Sequence, residues 1–567
     1  MALKRVRAMG LVLVVAALIA GACSSSKSSG GGKNTGGPTG TNKIASVKQG
    51  GDITISAEQE PDCMDWIGSC ASAAWGIWAA QVETMPEAYT YDDAKGWIPS
   101  PVLTGEATLV TSPKQVVTYH INPAAVWSDG QPITSTDFKY TWNQIVTGKD
   151  IFVTTGWTNI ESVDDSDPHT AVVTYKTPYA DWKSLWGTSE PILPSHILQG
   201  QDRDAAMKDG YKFSGNAWMI DHWTKGVELK LVPNPKYWGK KPNLASVTFK
   251  FITDTAAEQQ DFRSGQVVAS YPQAQPGQEA LKGVSGTYFN AISGLSFEGL
   301  WFNIQKAPLT DPAVRQALAY ATDRNAIVKQ LFGPIQPDIL PIQSVATPAF
   351  GPSYSTPFSK YSLDLGKVTS LMTGAGWAKD SSGIWAKGGQ QASLELKTTT
   401  GNKRRALTAQ ILQSEWQNAG FKLTITPEKA GVLFGQDLPG GNFQVGLYAQ
   451  NPSDNDPSAV GGCVLWCTVN IPGPSNGGNG ENYDRYSNPT VDKLAAEVDS
   501  SLDQATRADD TKKVQEALAA DVPVIPLDPF PDIVIVNSAK VGYEGGSDFP
   551  HNFADGPFKY LNYWYAK

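Results

Sequence analysis

The sequence has little of what most enzymes and nucleic-acid-binding proteins need. Its 567 residues include only five His, and it contains no HExxH motif, no P-loop and no GxGxxG motif. Residues 473–477 match GxSxG, but they lie in a Gly- and Pro-rich loop instead of a strand-to-helix turn, which indicates a chance match. Lys and Arg total 46 against 55 Asp and Glu, a net charge of −9. We therefore expect no enzymatic activity, no cofactor and no nucleic-acid partner.

A long hydrophobic run is missing too. Residues 11–20 are apolar, which is too short for a membrane-spanning helix, and three basic residues precede them. Because Cys23 follows Ala-Gly-Ala, we predict a lipoprotein signal peptide over 1–22 and lipidation of Cys23. Ordinary secretory cleavage is the alternative. Residues 23–47 are rich in Gly, Ser and Thr and predict a flexible tether to the membrane.

Four further cysteines form two close pairs, Cys63 with Cys70 and Cys463 with Cys467. An exported chain meets an oxidising environment, so we predict two short-loop disulfides. Each would stabilise the fold by roughly 2–2.5 kcal/mol on the chain-entropy argument. A zinc site is the alternative interpretation.

Residues 448–486 predict a long loop without regular helix or strand. They are rich in Pro, Gly, Asn and Ser, and such a loop in a compact domain is typical of ligand binding. Asp454 and Asp456 are candidate anchors for a positively charged ligand group. Capping of the loop by these side chains and a calcium site are the alternatives.

Aromatic residues in and near this loop are candidate ligand platforms. We name Tyr448, Trp466 and Trp301, for which core packing is the alternative. Asn303 lies two residues after Trp301, so both side chains would face the same side of a strand. Tyr483 closes the loop and completes the candidate ligand-binding set.

Local patterns predict several helix starts. Thr134 with Asp137 forms a capping-box pattern, Asp311 before a Pro is a helix-start signal, and residues 402–420 are amphipathic. Strand patterns alternate with these helices without a sequence repeat. The fold class is therefore α/β or α+β.

Three segments resemble one family. They are VWSDGQPITSTDF (126–138), LVPNPKYWGKKP (231–242) and FNIQKAPLTDPAVRQALAYATDR (302–324). They resemble, in the same order, segments of bacterial extracellular solute-binding proteins of the peptide/nickel/oligosaccharide ABC importer type, family 5. Residues 215–217 depart from the family's usual Gly-Pro-Tyr, and the loop after residue 448 is longer than in dipeptide binders.

The resemblance implies an α/β, two-lobed type II periplasmic-binding-protein fold with an extra subdomain. Lobe I would comprise 48–300 and 526–567, with the subdomain of about 95–215 inserted in it. Lobe II would comprise 301–525, and ligand would bind where the lobes close.

In peptide-binding relatives, an aspartate in a loop ending Asp-Pro receives the peptide's α-ammonium. Asp456-Pro457 supplies this ending here, and Asp454 is close by. The resemblance does not choose between the two aspartates.

The implied function is capture of a di- to oligopeptide and its delivery to the permease of an ABC importer. The protein would act as a monomer, lipid-anchored at the outer face of the bacterial cytoplasmic membrane. An oligosaccharide-binding protein of the same fold is the first alternative. A secreted lipoprotein hydrolase and a signalling or assembly lipoprotein are the others.

Overall fold

The structure is a computed structural model that describes residues 47–567 except 69, 72–73, 93–94, 453, 479 and 552–555. The predicted signal peptide, the lipidation of Cys23 and the tether up to residue 46 lie outside the described residues. Within the described ranges, no helix has the length and apolar character needed to cross a bilayer.

A ten-stranded mixed sheet runs through the molecule, in the order β17-β16-β18-β12-β19-β11-β1-β10-β9-β8. A separate four-stranded sheet has the order β4-β5-β7-β6. The strands are β1 Asp52–Ala57, β2 Tyr89–Asp92, β3 Gly96–Pro99, β4 Thr108–Val110, β5 Val116–His120, β6 Ile160–Asp167, β7 Thr170–Tyr175, β8 Trp218–Thr224, β9 Glu228–Pro233, β10 Ser246–Phe251, β11 Ala269–Ser270, β12 Thr287–Phe302, β13 Ala378–Lys379, β14 Trp385–Lys387, β15 Gln390–Gln391, β16 Ser393–Thr399, β17 Lys422–Glu428, β18 Val445–Gln450, β19 Val524–Asn537, β20 Val541–Tyr543 and β21 Trp564–Ala566.

Helices pack around these strands. The longer helices in the described ranges are Ser135–Thr147, Thr255–Ser264, Pro312–Tyr320, Arg324–Phe332, Leu365–Gly374, Lys403–Ala419, Pro489–Ser500 and Gln504–Asp521.

Two long strands join the halves of the large sheet. β12 and β19 pair antiparallel from Thr287 opposite Asn537 to Trp301 opposite Val524, with irregularities after Ser293 and Glu298. β19 carries three prolines in this stretch, which cannot donate ladder hydrogen bonds and suit an irregular register. On one side of this strand pair, β12 is hydrogen-bonded to β18. On the other side, β19 is hydrogen-bonded to β11.

Most of the hydrophobic core lies in two clusters, one in each half, and a third, small cluster comprises Tyr91, Leu295, Ala346, Phe350 and Val460. One cluster collects residues from β1, β8–β10 and the four-stranded sheet, including the fully buried Trp127 and Trp218. The other collects residues from β12 and β16–β18 with the helices over them, including Leu318 and Trp416. Each half therefore buries its own apolar surface.

The helix starts predicted from the sequence are confirmed. Thr134 N donates to Asp137 Oδ2 at 2.9 Å, which is half of the capping box of the Ser135–Thr147 helix. Asp311 Oδ1 accepts from the backbone N of Ala313 at 3.0 Å, and Asn402 caps the Lys403–Ala419 helix.

The prediction of a loop without regular structure over 448–486 is wrong in part. β18 extends through Tyr448 to residue 450, and two short helices follow at Ser458–Gly461 and Cys463–Trp466. Isolated helices below ~12–15 residues are marginal in water. These turns are instead held by tertiary contacts such as the 2.7 Å hydrogen bond from Trp466 Nε1 to Val460 O.

A buried ion cluster lies on the long strand pair. Glu298 of β12 accepts hydrogen bonds from Arg404 and Arg405 at the start of the Lys403–Ala419 helix, with 3.0 Å between Arg405 Nε and Glu298 Oε1. Burial opposes the charge of Glu298, but the two guanidinium groups outweigh it and lower the pKa of this carboxyl. Asp528 of β19 faces the same arginines, yet its burial raises its pKa to about 8.

Candidate functional site

A cavity of about 130 Å³ lies between residues 179–190 and residues 454–464. It is lined by Trp97, Thr155, Tyr179, Asp181, Ser184, Leu185, Thr188, Ser189, Glu190, Asp454, Ser458, Ala459, Val464 and Asp499. We call residues 179–190 the first wall, and residues 454–464 with Asp499 the second wall.

The two walls touch. Ala180 N in the first wall donates to the backbone O of Asp499 at 2.7 Å. The Asp499 carboxylate in turn accepts from Cys463 N at 2.9 Å. The end of the Pro489–Ser500 helix is therefore hydrogen-bonded to both walls. The cavity therefore lies at a junction between segments about 300 residues apart in the sequence.

Asp454 is a buried residue of the second wall. It is 1% exposed, and its Oδ1 accepts from Asp456 N at 2.6 Å. This bond orients the loop between β18 and the Ser458–Gly461 helix, so that Asp454 lines the cavity.

Asp456 has a different environment, because Arg507 of the Gln504–Asp521 helix forms a bidentate ion pair with it. Arg507 Nη1 donates to Asp456 Oδ2 at 2.8 Å, and Nη2 donates to Oδ1. Asp456 Oδ1 also accepts from Ser458 N at 2.9 Å. Burial lowers the pKa of Arg507, but the Asp456 carboxylate outweighs that effect and the pKa is raised. Asp456 is thus already paired with a cation of the protein.

The first wall contributes a carboxylate that sequence reasoning missed. Asp181 is 8% exposed, and its Oδ1 has no hydrogen-bond partner. Burial raises the pKa of Asp181 well above its usual range, and the carboxylates of Asp454 and Asp456 add to the effect. Asp181 and Asp454 therefore present carboxyl groups from opposite walls.

Two half-buried glutamates extend this acidic region. Burial raises the pKa of Glu190 to about 8, and the neighbouring Glu481 carboxylate contributes to that rise. Burial likewise raises the pKa of Glu481 to about 7 and that of Asp499 to about 6. Removing water from a carboxylate disfavours its charged form, so each would gain from a cationic partner.

The predicted aromatic platforms lie in the core of the second half. Trp301 stacks on Tyr448 with ring centroids 5.2 Å apart and on Trp466 at 6.2 Å. Trp301 Nε1 also donates to Tyr448 O at 3.0 Å. All three side chains are buried, and none of them lines the 130 Å³ cavity.

Asn303 and Tyr483 lie apart from the acidic cavity. Asn303 is buried, and its Nδ2 donates to Gly441 O at 3.1 Å. It borders a separate open groove of about 670 Å³, which Arg485 also lines. Tyr483 is partly buried, and its pKa is raised by burial and by Glu481. The structure thus brings only Asp454 of the predicted set into the cavity, with Asp456 behind it.

Asp181, Glu190 and Asp499 carried no local signal. None of the three belongs to a motif, and the first two lie more than 250 residues from the predicted loop. Glu481 lies inside the predicted loop, where its carboxylate could have drawn attention.

Both predicted disulfides are present, with Cα–Cα distances of 5.8 Å for Cys63–Cys70 and 4.5 Å for Cys463–Cys467. The zinc alternative for these cysteines is therefore wrong. Among the residues that the structure describes, no group of three or more His, Cys, Asp or Glu is placed to hold a metal ion.

Two halves, each with its own core, are linked by the β12–β19 pair and by the contact between the two walls. Together with the acidic cavity, they define the class of a two-lobed solute-binding protein. The model of the bacterial extracellular solute-binding proteins, family 5 Middle, matches residues 98–462. The chain belongs to this family, as its motifs predict.

Relatives and solved structures agree with this family. Protein XP55 of Streptomyces lividans is 26% identical over 430 residues, covering 74% of each chain. The oligopeptide-binding protein OppA of Mycobacterium tuberculosis strain H37Rv is 24% identical over 525 residues, covering 89% of this chain and 85% of the relative. The Bacillus subtilis oligopeptide-binding protein AppA in complex with a nonapeptide matches with a TM-score of 0.81 at 19% identity, covering 92% of this chain and all of that one.

Membership of the family fixes the broad function. The protein is an extracellular or periplasmic solute-binding component of an ABC importer and not an enzyme. Its partners are a small solute and the importer's permease. The two-lobed α/β fold predicted from the sequence is confirmed.

Proposed function

We propose that this protein captures a peptide through its free amino terminus and delivers it to an ABC importer. The observation that carries the proposal is the acidic cavity, where the buried Oδ1 of Asp181 has no hydrogen-bond partner and Asp454 faces it from the other wall. An α-ammonium has three N–H donors and a positive charge, which suit two opposed carboxylates.

Asp454, and not Asp456, is the anchor in this proposal. Asp456 is held by both Nη atoms of Arg507, so its charge is already compensated. The names of relatives such as OppA and AppA support a peptide as the solute. The roles of Tyr448, Trp301, Trp466, Asn303 and Tyr483 would then be to support the loop, because the first three stack in the core.

The proposal includes two lobes that close on the ligand. Lobe I is formed by 48–300 and 526–567, with the subdomain of about 95–215 inserted, and lobe II by 301–525. The first wall then belongs to the inserted subdomain and the second wall to lobe II, so closure assembles the cavity. Lipidation at Cys23 would hold this monomeric body at the outer face of the cytoplasmic membrane.

A thermal-shift screen tests the proposal. Short peptides with free amino termini, oligosaccharides and nickel are compared, because a ligand at a hundredfold excess over Kd stabilises by about 2.7 kcal/mol. We expect only peptides to raise the melting temperature. Stabilisation by an oligosaccharide alone would overturn the peptide assignment.

A further inference from the structure

The cavity has apolar lining residues beside its carboxyl groups. They are Trp97, Tyr179, Leu185, Ala459 and Val464. Trp97 of β3 and Ala459 of the second wall also pack against the third, small hydrophobic cluster. The same cluster therefore supports two lining residues that lie more than 350 residues apart in the sequence. We call Trp97 and Ala459 the apolar face of the cavity.

The ring of Trp97 is positioned by its own strand pair. Trp97 lies opposite Tyr91 in the antiparallel β2–β3 pair, and the two rings meet edge to face with their centroids 5.5 Å apart. Edge-to-face contacts of this kind favour one orientation of the ring. These contacts bury Trp97 only in part, and its side chain also lines the cavity.

Three of the five Ser and Thr hydroxyl groups in the lining are already engaged by the protein. Ser184 Oγ donates to the backbone O of Asp181 at 2.7 Å, and Thr188 Oγ1 donates to the Glu87 carboxylate at 3.3 Å. Ser458 Oγ accepts from a guanidinium group at 2.9 Å. A polar ligand side chain that displaced these bonds would gain little, whereas an apolar side chain can pack on the apolar face without breaking any of them.

The place of the ligand's first side chain follows from the proposed function. Asp181 and Asp454 receive the α-ammonium in that proposal. The Cβ atom of the first residue is two bonds from the ammonium nitrogen, at a distance of roughly 2.5 Å. The first side chain therefore begins inside the same cavity and contacts its lining.

We propose that Trp97 determines which first residue the protein accepts, by packing its indole ring against an apolar first side chain. The inference rests on the proposed function and narrows the substrate class to peptides with an apolar amino-terminal residue. Burial of an apolar side chain against Trp97 and Ala459 removes apolar surface of both partners from water. A polar side chain in the same place loses its water without gaining a matching hydrogen bond.

Isothermal titration of the wild-type protein with isosteric peptides tests the inference. Val-Ala-Ala is compared with Thr-Ala-Ala, because Thr has the shape of Val with a hydroxyl in place of one methyl group. We expect Val-Ala-Ala to bind about tenfold more tightly, within the range that apolar pockets show. Ala-Ala-Val and Ala-Ala-Thr are the position control, and their affinity ratio should be smaller. An equal ratio at positions one and three would overturn the assignment to the first residue.

Trp97→Ala locates the contact, and Trp238→Ala is the matched control. Both tryptophans are partly buried and pack against the cluster that contains Trp127 and Trp218, but Trp238 does not line the cavity. In Trp97→Ala the preference for Val should fall below about threefold, and in Trp238→Ala it should stay near about tenfold. A merely structural role of Trp97 would weaken the Val and Thr peptides alike and leave their ratio unchanged.

The outcomes separate the two proposals. Equal binding of Val-Ala-Ala and Thr-Ala-Ala would overturn the apolar contact and leave peptide binding intact. Tighter binding of Thr-Ala-Ala would also overturn it, in favour of a hydrogen bond to the buried Nε1 of Trp97, which has no partner among the described residues. Binding of none of the four peptides would overturn the proposed function as well.

The variant decides the role of Trp97 separately. A preference for Val that Trp97→Ala leaves unchanged would overturn the assignment of Trp97. Because the wild-type comparison needs no variant, the preference for an apolar first residue stays testable if Trp97→Ala fails to fold.

Discussion

The ion cluster on the long strand pair and the acidic cavity are both buried and both rich in carboxylates, but they are compensated differently. Glu298 accepts hydrogen bonds from Arg404 and Arg405, and these cations lower its pKa. Asp181 and Glu190 line a cavity without Lys, Arg or His, and burial raises the pKa of each.

The carboxylate of the ion cluster stabilises the fold, whereas the carboxylates of the cavity are available to bind a ligand. Removing a buried carboxylate that is paired within the protein lowers the stability strongly, because its cationic partner is left uncompensated. A buried carboxylate without an internal cation costs stability in the ligand-free protein and recovers it when a cation binds. Asp456 belongs to the first kind, because Arg507 holds it, whereas Asp454, only two residues away, lines the cavity.

The largest effect is expected from Glu298→Gln. It leaves Arg404 and Arg405 buried with reduced compensation, so we expect the free energy of unfolding to fall by about 3–5 kcal/mol. Urea denaturation followed by Trp fluorescence measures this loss. Asp181→Asn should leave the ligand-free stability unchanged or raised. An equal loss in both variants would contradict the distinction between the two regions.

The second effect contrasts the neighbouring aspartates. Asp456→Asn weakens the pairing with Arg507, so we expect a stability loss of about 2 kcal/mol. Asp454→Asn should instead keep the stability and weaken peptide binding by tenfold or more. Urea denaturation and isothermal titration of both variants check this. A larger loss of affinity in Asp456→Asn than in Asp454→Asn, at equal stability, would reverse the assignment.

The third effect concerns the second wall. Replacing Cys463 and Cys467 together by Ser opens a loop whose cysteines are four residues apart, and the chain-entropy estimate is about 2 kcal/mol of lost stability. Because Cys463 N donates to the Asp499 carboxylate, peptide affinity should also fall. The double replacement of Cys63 and Cys70, which do not line the cavity, is the control and should leave the affinity unchanged.

The smallest effect is on the pH dependence of the ligand-free protein. The pKa of Glu190 is raised from its usual 4.5 to about 8, so the folded state holds an extra proton between these values. Stability therefore falls as the pH rises through this window. Glu190→Gln removes this contribution and should reduce the drop in melting temperature between pH 5 and 8 by about 1–3 °C. An unchanged drop, as expected for the control Glu516→Gln at an exposed site on the Gln504–Asp521 helix, would contradict the burial of Glu190.

Local chemistry explains which features could be predicted from the sequence. The helix caps at Thr134 and Asp311 depend on residues within three positions, and the disulfides span short loops. The family motifs likewise predicted the two-lobed fold correctly. The two short helices after residue 450 were not predicted, because they depend on tertiary contacts.

The site depends on contacts that no local pattern contains. Choosing between Asp454 and Asp456 needs Arg507, which lies 51 residues after Asp456. Asp181 and Glu190 reach the loop only through the fold, and the hydrogen bond from Ala180 N to Asp499 O spans more than 300 residues. The stacking of Trp301 between Tyr448 and Trp466 likewise appears only when β12 and β18 pair.

In the proposed function, the cavity holds a peptide's α-ammonium between Asp181 and Asp454. Its most direct test is isothermal titration of the wild-type protein with one peptide in two forms, with a free and with an N-acetylated amino terminus. We expect acetylation to weaken binding by tenfold or more, since it removes a charge-assisted contact of about 1.5–3 kcal/mol. Equal affinity for the two forms would contradict it.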